Sequence, residues 1–329
     1  VRAPDFWSAA PPSALDTCLA TALSPLGMIY GTLTASRAAR APRWQAPVPV
    51  ICVGNAVMGG AGKTQVCLDL CRRLSTPDRA AHVLSRGYGG QLAGPLRVDA
   101  AHHHAHEVGD EALVLARHAA TWIGAERTRT ARAATDAGAA LIVMDDGFQN
   151  PDLKKDLSLL VIDGGYGFGN GYICPAGPLR ESAESAFSRA DAVCIIGAPG
   201  ARMPEIPPHL PVFQARIEPA PGSASLSGKK VIAFAGIGRP EKFFETLRDA
   251  GAVVQKTVRF PDHHRFLDHE IDALVQSAAD GGAEVVTTEK DYVRLNDAHR
   301  EKVTPFPVVL EWSDVAALES FILERIGLN

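Results

Sequence analysis

The segment Gly54-Asn55-Ala56-Val57-Met58-Gly59-Gly60-Ala61-Gly62-Lys63-Thr64 joins a short apolar run, Ala46–Gly54, to a stretch of helical spacing from Lys63 to about Leu74. A glycine loop that ends in Gly-Lys-Thr between a strand and a helix constrains this chain more than any other feature. Glycines let successive backbone N–H groups turn inward, and the helix N-terminus adds partial positive charge. Gly59, Gly60, Ala61, Gly62, Lys63 and Thr64 therefore form a candidate nucleoside-triphosphate cradle. Lys63 is suited to the β- and γ-phosphates and the Thr64 hydroxyl to Mg2+. The strict pattern places glycine at position 57, where this chain has Val57; Gly59 and Gly60 still supply the turn.

Further apolar runs follow at Ala81–Ser85, Ala140–Asp145, Leu157–Asp163 and Asp191–Gly197, with helical spacing over Gly109–Ala119 and Arg127–Ala137. Strands alternating with helices imply crossover connections and a parallel sheet covered on both faces, an α/β fold. Seven prolines between Pro199 and Pro221 then break the periodicity, the mark of a linker. Beyond them Lys230–Ala235, the turn Gly236–Gly238 and a helix to about Ala250 begin a smaller α/β unit. Strands near Val253–Phe260 and Ala283–Thr288 and a helix near Asp268–Ala279 continue it. A strand at Val308–Trp312 and a helix at Val315–Ile326 close the chain.

The length of 329 residues suits two domains, and the net charge of −4 gives no sign of a nucleic-acid partner. The six cysteines contain no CxxC pair and read as reduced, buried small hydrophobes. Between Asp16 and Arg37 there is no charge, but Pro25, Gly27 and Gly31 interrupt the run. Leu15, Leu19, Ala22, Leu26, Ile29 and Leu33 recur at helical spacing, followed by Arg37, Arg40 and Arg43. Helical segments with one apolar stripe and a basic flank suit an anionic lipid surface; packing on the protein itself is the other reading. A secretory signal is not expected, because no basic region leads directly into an apolar core.

Several side chains are candidates for chemistry. Asp145 and Asp146 end an apolar strand, where an acid holds Mg2+ in phosphate-loop enzymes or serves as a turn residue. Asp110 and Glu111 open a helix, as cap or as functional carboxylates. His263 and His264 follow a strand of the second unit, as a solvated turn or as an acid–base group brought in by domain closure. Arg86, Tyr88, Arg180 and Glu181 lie in Gly/Pro-rich loops, where arginines suit substrate phosphates or solvent. His102, His103, His104 and His106 read as an exposed loop, without the spacing of a structural zinc site.

In order, Arg2-Ala3-Pro4-Asp5-Phe6-Trp7, Pro47 to Thr64, Leu84 to Gly90, Val108 to Glu111, Met144 to Gln149, Pro175 to Glu181, Phe260 to His264 and Thr287 to Asp291 resemble one family, the tetraacyldisaccharide 4′-kinases of lipid A synthesis. The resemblance implies transfer of the γ-phosphoryl of ATP, with Mg2+, to the 4′-hydroxyl of a tetraacylated glucosamine disaccharide 1-phosphate. It also implies a peripheral enzyme on the cytoplasmic face of the inner membrane, with the N-terminal helix touching lipid. The expected fold is a P-loop NTPase-like α/β/α domain plus a smaller α/β domain joined by a two-stranded linker, Val212–Ile217 and Pro307–Glu311. Domain limits follow as 1–36 for the membrane segment, 37–210 for the kinase domain, 211–228 for the linker, 229–305 for the smaller domain and 306–329 for the return strand and helix. By family pattern Asp110 is the catalytic base with His263 its partner, and Lys63 offsets charge on the transferring group. Thr64 with Asp145 or Asp146 holds the metal, Glu111 or Glu181 stands in its outer shell, and Arg86, Tyr88, Arg180 and Glu181 contact substrate.

Val57, Ala61, Gln65, Asn150 and Ser182 depart from the usual family residues, which puts hydroxyl contacts near the phosphates in doubt. The rival reading is a phosphate-loop ATPase or switch acting on a protein partner. Against it, Thr288-Glu289-Lys290-Asp291 has the wrong order for a guanine-reading motif. A non-catalytic lipid-binding protein would leave the Gly-Lys-Thr loop without a purpose, and no obligate protein partner is inferred.

Overall fold

The computed structural model describes residues 4–7, 12–221 and 225–328. Arg2 and Ala3 of the first motif, and residues 222–224 of the expected linker, lie outside it. The chain runs through α1 (Ala14–Ala38), β1 (Val50–Gly54), α2 (Lys63–Leu74), β2 (Ala81–Ser85), β3 (Leu96–Arg97), α3 (Ala105–Val108), α4 (Asp110–Ala116), β4 (Ala120–Ile123), α5 (Arg127–Asp136), β5 (Leu141–Asp145), β6 (Leu157–Asp163), α6 (Ala183–Phe187) and β7 (Ala192–Ile196). After β8 (Val212–Pro219) come β9 (Lys230–Ala235), α7 (Pro240–Asp249), β10 (Val253–Arg259), α8 (Asp268–Gly281), β11 (Glu284–Thr288), α9 (Glu289–Tyr292), α10 (Asp297–Arg300), β12 (Val303–Phe306), β13 (Val308–Trp312) and α11 (Val315–Arg325).

Nine strands form one sheet in the order β13-β8-β7-β6-β1-β5-β2-β4-β3, and four form a second, β10-β9-β11-β12. All pairings are parallel except β8 with β13 and β3 with β4. Every residue of β1, β5, β6 and β7 is buried, as crossover helices on both faces require. Val66, Cys67, Leu70, Cys71 and Leu74 of α2 pack on one face. Trp312 of β13 and Leu318 and Ile322 of α11 join that same core, so the end of the chain returns to the first sheet. The two strands expected as a linker, β8 and β13, pair with each other where the chain enters and leaves the smaller unit, and they also extend the large sheet through the pairing of β8 with β7. Pairing there satisfies the free hydrogen-bonding edge of β7.

Two sequence expectations need correction. The N-terminal region is one continuous helix, α1, not interrupted segments, although Pro25 lies inside it. Pro25 has no N–H to give the Thr21 carbonyl; the Ser24 hydroxyl donates to that carbonyl instead, at 2.9 Å. Ala20, Gly27 and Gly31 are its buried residues, while Leu15, Leu19, Leu26, Met28, Ile29 and Leu33 are exposed. A β-carbon on Gly27 or Gly31 would stand 2.6 Å from Ile173, so the glycines are what lets the helix lie against the 166–181 loop. The apolar stripe does not pack on the protein. Of the cysteines, Cys52, Cys67, Cys71 and Cys194 are buried, but Cys18 is exposed on α1 and Cys174 half-buried.

Candidate functional site

The glycine loop leaves the C-terminal end of β1, at the centre of the large sheet. Gly59 (φ 113°) and Gly62 (φ 89°) take left-handed conformations that a β-carbon would strain. Among the described residues, the amides from Gly59 to Thr64 donate to no backbone carbonyl, which leaves them available to an anion. The loop's first half is clamped to the 178–180 segment: Met58 N–H donates to the Pro178 carbonyl and Arg180 N–H to the Ala56 carbonyl, both at 2.7 Å. This clamp turns Val57 into an apolar cluster with Leu179, and Ala61 is buried beneath α2. Both side chains are buried in the protein, Val57 5% and Ala61 1% exposed. Ser182 is the N-cap of α6, accepting the Ser185 N–H, a role its hydroxyl suits.

Lys63 reaches back across the loop, with Nζ 3.0 Å from Asn55 Oδ1 and 3.4 Å from Asp146 Oδ1. Asp146 is a non-glycine residue with positive φ, 49°, in the tight turn after β5. Arg180 donates Nη1 to both its oxygens, at 3.0 and 3.1 Å, and to Gln149 Oε1 at 3.3 Å. Burial alone would raise the Asp146 carboxyl, but Lys63 and then Arg180 hold it well below the usual range. Asp145 is different: burial first, then the Glu111 carboxylate, pushes it up against the pull of Lys63. The buried Arg127 holds the backbone here, donating Nη2 to the Asp145 carbonyl at 3.1 Å.

A second cluster spans the two sheets. Asp110 is the first residue of α4, with Gly109 rather than Asp110 as the cap. His263 Nδ1 lies 2.8 Å from Asp110 Oδ2, and the Tyr88 ring meets the His263 ring edge-on at 5.7 Å. Arg294 donates Nε to the same Asp110 oxygen at 2.7 Å, and Nη2 also bonds it. Its Nη1 bonds Asp291 Oδ1 at 2.7 Å and the Gly236 carbonyl at 2.8 Å. Burial opposes ionisation of Asp110, but His263, Lys290 and Arg294 together hold its carboxyl well below the usual range. Lys290 bonds Glu111 Oε1 at 3.1 Å. Burial would lower the Lys290 ammonium, yet Glu111, Asp110 and Asp262 raise it.

Lys63, Asp146 and Arg180 thus meet in one cluster, and Asp110, Glu111, His263 and Tyr88 in another, with Asp145 sensing the Glu111 charge. Arg86 is exposed beside Tyr88. Glu181 does not face the cleft: it is fully buried, both oxygens 2.6 Å from Arg189 Nη2, with Gln149 and Ser185 as further donors. It holds Gln149 and Arg189 in place from behind. Sequence reasoning missed Arg294, Lys290 as a partner of Glu111, Arg127 and Asn55. A signal for Arg294 existed, since it lies one helical turn after Asp291 of a motif already singled out. His264 bonds Glu270 Oε2 at 2.8 Å, away from Asp110. Of the histidine-rich stretch expected as a loop, His106 lies inside α3 and His104 caps it, the two rings stacking, while His102 bonds Asp99; no group of three metal-ligating side chains converges among the described residues.

A strand–glycine loop–helix unit with acids at the neighbouring strand end, and a second α/β unit bringing an imidazole to a buried carboxylate, defines a phosphate-loop protein of the kinase type. The family model for tetraacyldisaccharide-1-P 4′-kinase matches residues 19–327. A tetraacyldisaccharide 4′-kinase of Rhodospirillum centenum is 49% identical over 98% of this chain and 96% of its own length. That of Paramagnetospirillum magneticum is 47% identical over the whole of both chains. The crystal structure of LpxK from Aquifex aeolicus in complex with ATP aligns with a TM-score of 0.74 at 26% identity, covering 94% of this chain and 99% of that one. The chain belongs to the tetraacyldisaccharide-1-P 4′-kinase family.

Proposed function

We propose that this chain transfers the γ-phosphoryl of ATP to the 4′-hydroxyl of a tetraacylated glucosamine disaccharide 1-phosphate, at the cytoplasmic face of the inner membrane. Beyond family membership, the observation that carries the reading is the meeting of His263 and Asp110 from different sheets beside a loop of free amides. A switch acting on a protein partner has no use for that junction.

In this reading the amides of Gly59–Thr64 and the Lys63 ammonium grip the triphosphate and offset charge that spreads over the transferring group. Asp110, oriented by His263, accepts a hydrogen bond from the sugar hydroxyl and takes its proton as the phosphoryl arrives. Its lowered proton affinity suits a loose transition state, in which aiming the nucleophile matters more than early proton removal. Arg180, Arg86 and Tyr88 line the approach for the acceptor. The donor set fits Mg2+: hard oxygens of Thr64, Asp145, Asp146 and Glu111, with Asp145 raised by burial and a like charge that a cation would relieve. Mg2+ is commonly held by one or two carboxylates plus phosphate oxygens. Bound there, the ion would supply charge stabilisation to the phosphates.

α1 is the one helix among the described residues long and apolar enough to cross a membrane, and its large side chains are exposed. We read it as lying against the bilayer, with Arg37, Arg40 and Arg43 toward anionic headgroups. The test is transfer of radiolabelled γ-phosphate from ATP to a lipid disaccharide acceptor in mixed micelles. Label appearing only as free phosphate would refute the reading.

A further inference from the structure

Two cations of the second sheet unit, Arg239 and Lys242, reach the large sheet beside the glycine loop, apart from the Asp110–His263 cluster. The turn after β9 lies against that loop: a β-carbon on Gly238 would stand 4.0 Å from the Gly60 nitrogen. Arg239 donates Nη2 to the Gly60 carbonyl at 2.7 Å and pairs with Asp163 Oδ2 at 2.5 Å. Its guanidinium lies 5.2 Å from the centre of the Tyr166 ring. Lys242 reaches the same Asp163 oxygen at 3.0 Å, and among the described residues its ammonium has no hydrogen bond to the loop. Asp163 ends β6, the buried strand beside β1, so it is a fixed anchor. Burial opposes its charge, yet Arg239 and Lys242 hold its carboxyl below the usual range.

A planar trans peptide points its carbonyl and its N–H in opposite directions. A guanidinium that draws the Gly60 carbonyl out toward Asp163 and Tyr166 therefore aims the Ala61 N–H the other way, into the loop. Ala61 is anchored by its burial beneath α2, but the Gly60 side of this peptide is not packed: Gly60 has no side chain, and nothing lies within 4 Å of where its β-carbon would be. One guanidinium nitrogen, Nη2, serves both acceptors through its two N–H groups.

We propose that Arg239 is a nucleotide-positioning residue, supplied by the second unit, that fixes the Gly60–Ala61 peptide so that its N–H faces the phosphates. This deepens the ATP reading above and rests on it. Affinity for the triphosphate then depends on a contact between the two sheet units, made before any acceptor arrives.

The test measures Mg·ATP affinity by calorimetry on the full chain in detergent, with the KM for ATP and for the lipid acceptor determined separately. Arg239→Ala removes a charge-assisted hydrogen bond, and the expected loss of ATP affinity is about 10- to 100-fold. The lipid KM and the nucleotide-free melting temperature should stay near wild type. Arg239→Lys should recover only part of the affinity, and Lys242→Ala should keep it. Unchanged or tighter ATP binding in Arg239→Ala overturns the proposal. So does an equal loss in Lys242→Ala, which would mean that the Asp163 clasp acts only by joining the units. Should Arg239→Ala fail to fold, Arg239→Gln is read by the same criteria. Failure of the wild-type chain to bind Mg·ATP would instead remove the kinase reading itself.

Discussion

Arg294→Ala tests the junction between the sheets most directly. The Arg294 side chain is 7% exposed and answers two carboxylates that are themselves 6% and 0% exposed, Asp110 and Asp291. Truncation leaves Asp110 with His263 and the Glu111 N–H, and Asp291 with the Thr288 hydroxyl and the Gly236 N–H. Removing one partner of a buried pair costs about 3–5 kcal/mol, and the surviving donors argue for the lower end, about 3 kcal/mol. Urea unfolding of wild type and variant at neutral pH should show that difference. The pH dependence has a definite sign. Asp110 is held below its unfolded value, so its contribution is fully present above about pH 4 and is lost as pH falls through the lowered folded value. The variant lacks the part of that contribution that Arg294 supplies beside His263 and Lys290, so the gap between the two proteins should narrow in acid. Adding Asp110→Asn to Arg294→Ala removes one of the orphaned charges and should recover part of the loss. A single variant within about 1 kcal/mol of wild type, with no change of the gap with pH, would refute the account of a buried, charge-balanced junction.

Asp110→Asn should leave Mg·ATP binding nearly intact and lower turnover by about 10²- to 10⁴-fold in the radiolabel assay; equal turnover removes Asp110 from the mechanism. Lys63→Ala should damage both nucleotide affinity and turnover, and full activity would contradict the phosphate-loop assignment. Leu26→Glu with Ile29→Glu places charge on the exposed face of α1 and should abolish flotation with anionic vesicles while the soluble activity of the folded protein persists; undiminished flotation would assign membrane contact elsewhere. Gly27→Val drives a branched side chain into the Ile173 carbonyl and should free α1 from the 166–181 loop, read as faster proteolysis within α1.

Much of this protein was legible before any coordinates, because local rules carry the information. The loop between β1 and α2 is specified by glycine conformations and by the switch from a buried strand to an amphipathic helix, all within about twenty residues. Buried parallel strands announce themselves as apolar runs, so β1, β2, β5, β6, β7 and β9 appeared near their observed limits. The short edge elements did not: β3 is two residues long and β12 four, too brief for periodicity to register. The continuity of α1 through Pro25 was also hidden, since it depends on one hydroxyl replacing one N–H.

What the tertiary structure alone decided is which charges meet. Asp110 and Arg294 are 184 residues apart in sequence, and Gly60 and Arg239 are 179; no local pattern can pair them. Likewise Glu181 reads in sequence as one more loop acid, and only packing reveals that it is sealed against Arg189 behind the site. Local chemistry sets which backbone can cradle an anion. The balance of buried charge around it is a property of two sheet units brought into contact, because the energy of a carboxylate depends on what surrounds it in space and not on its neighbours along the chain.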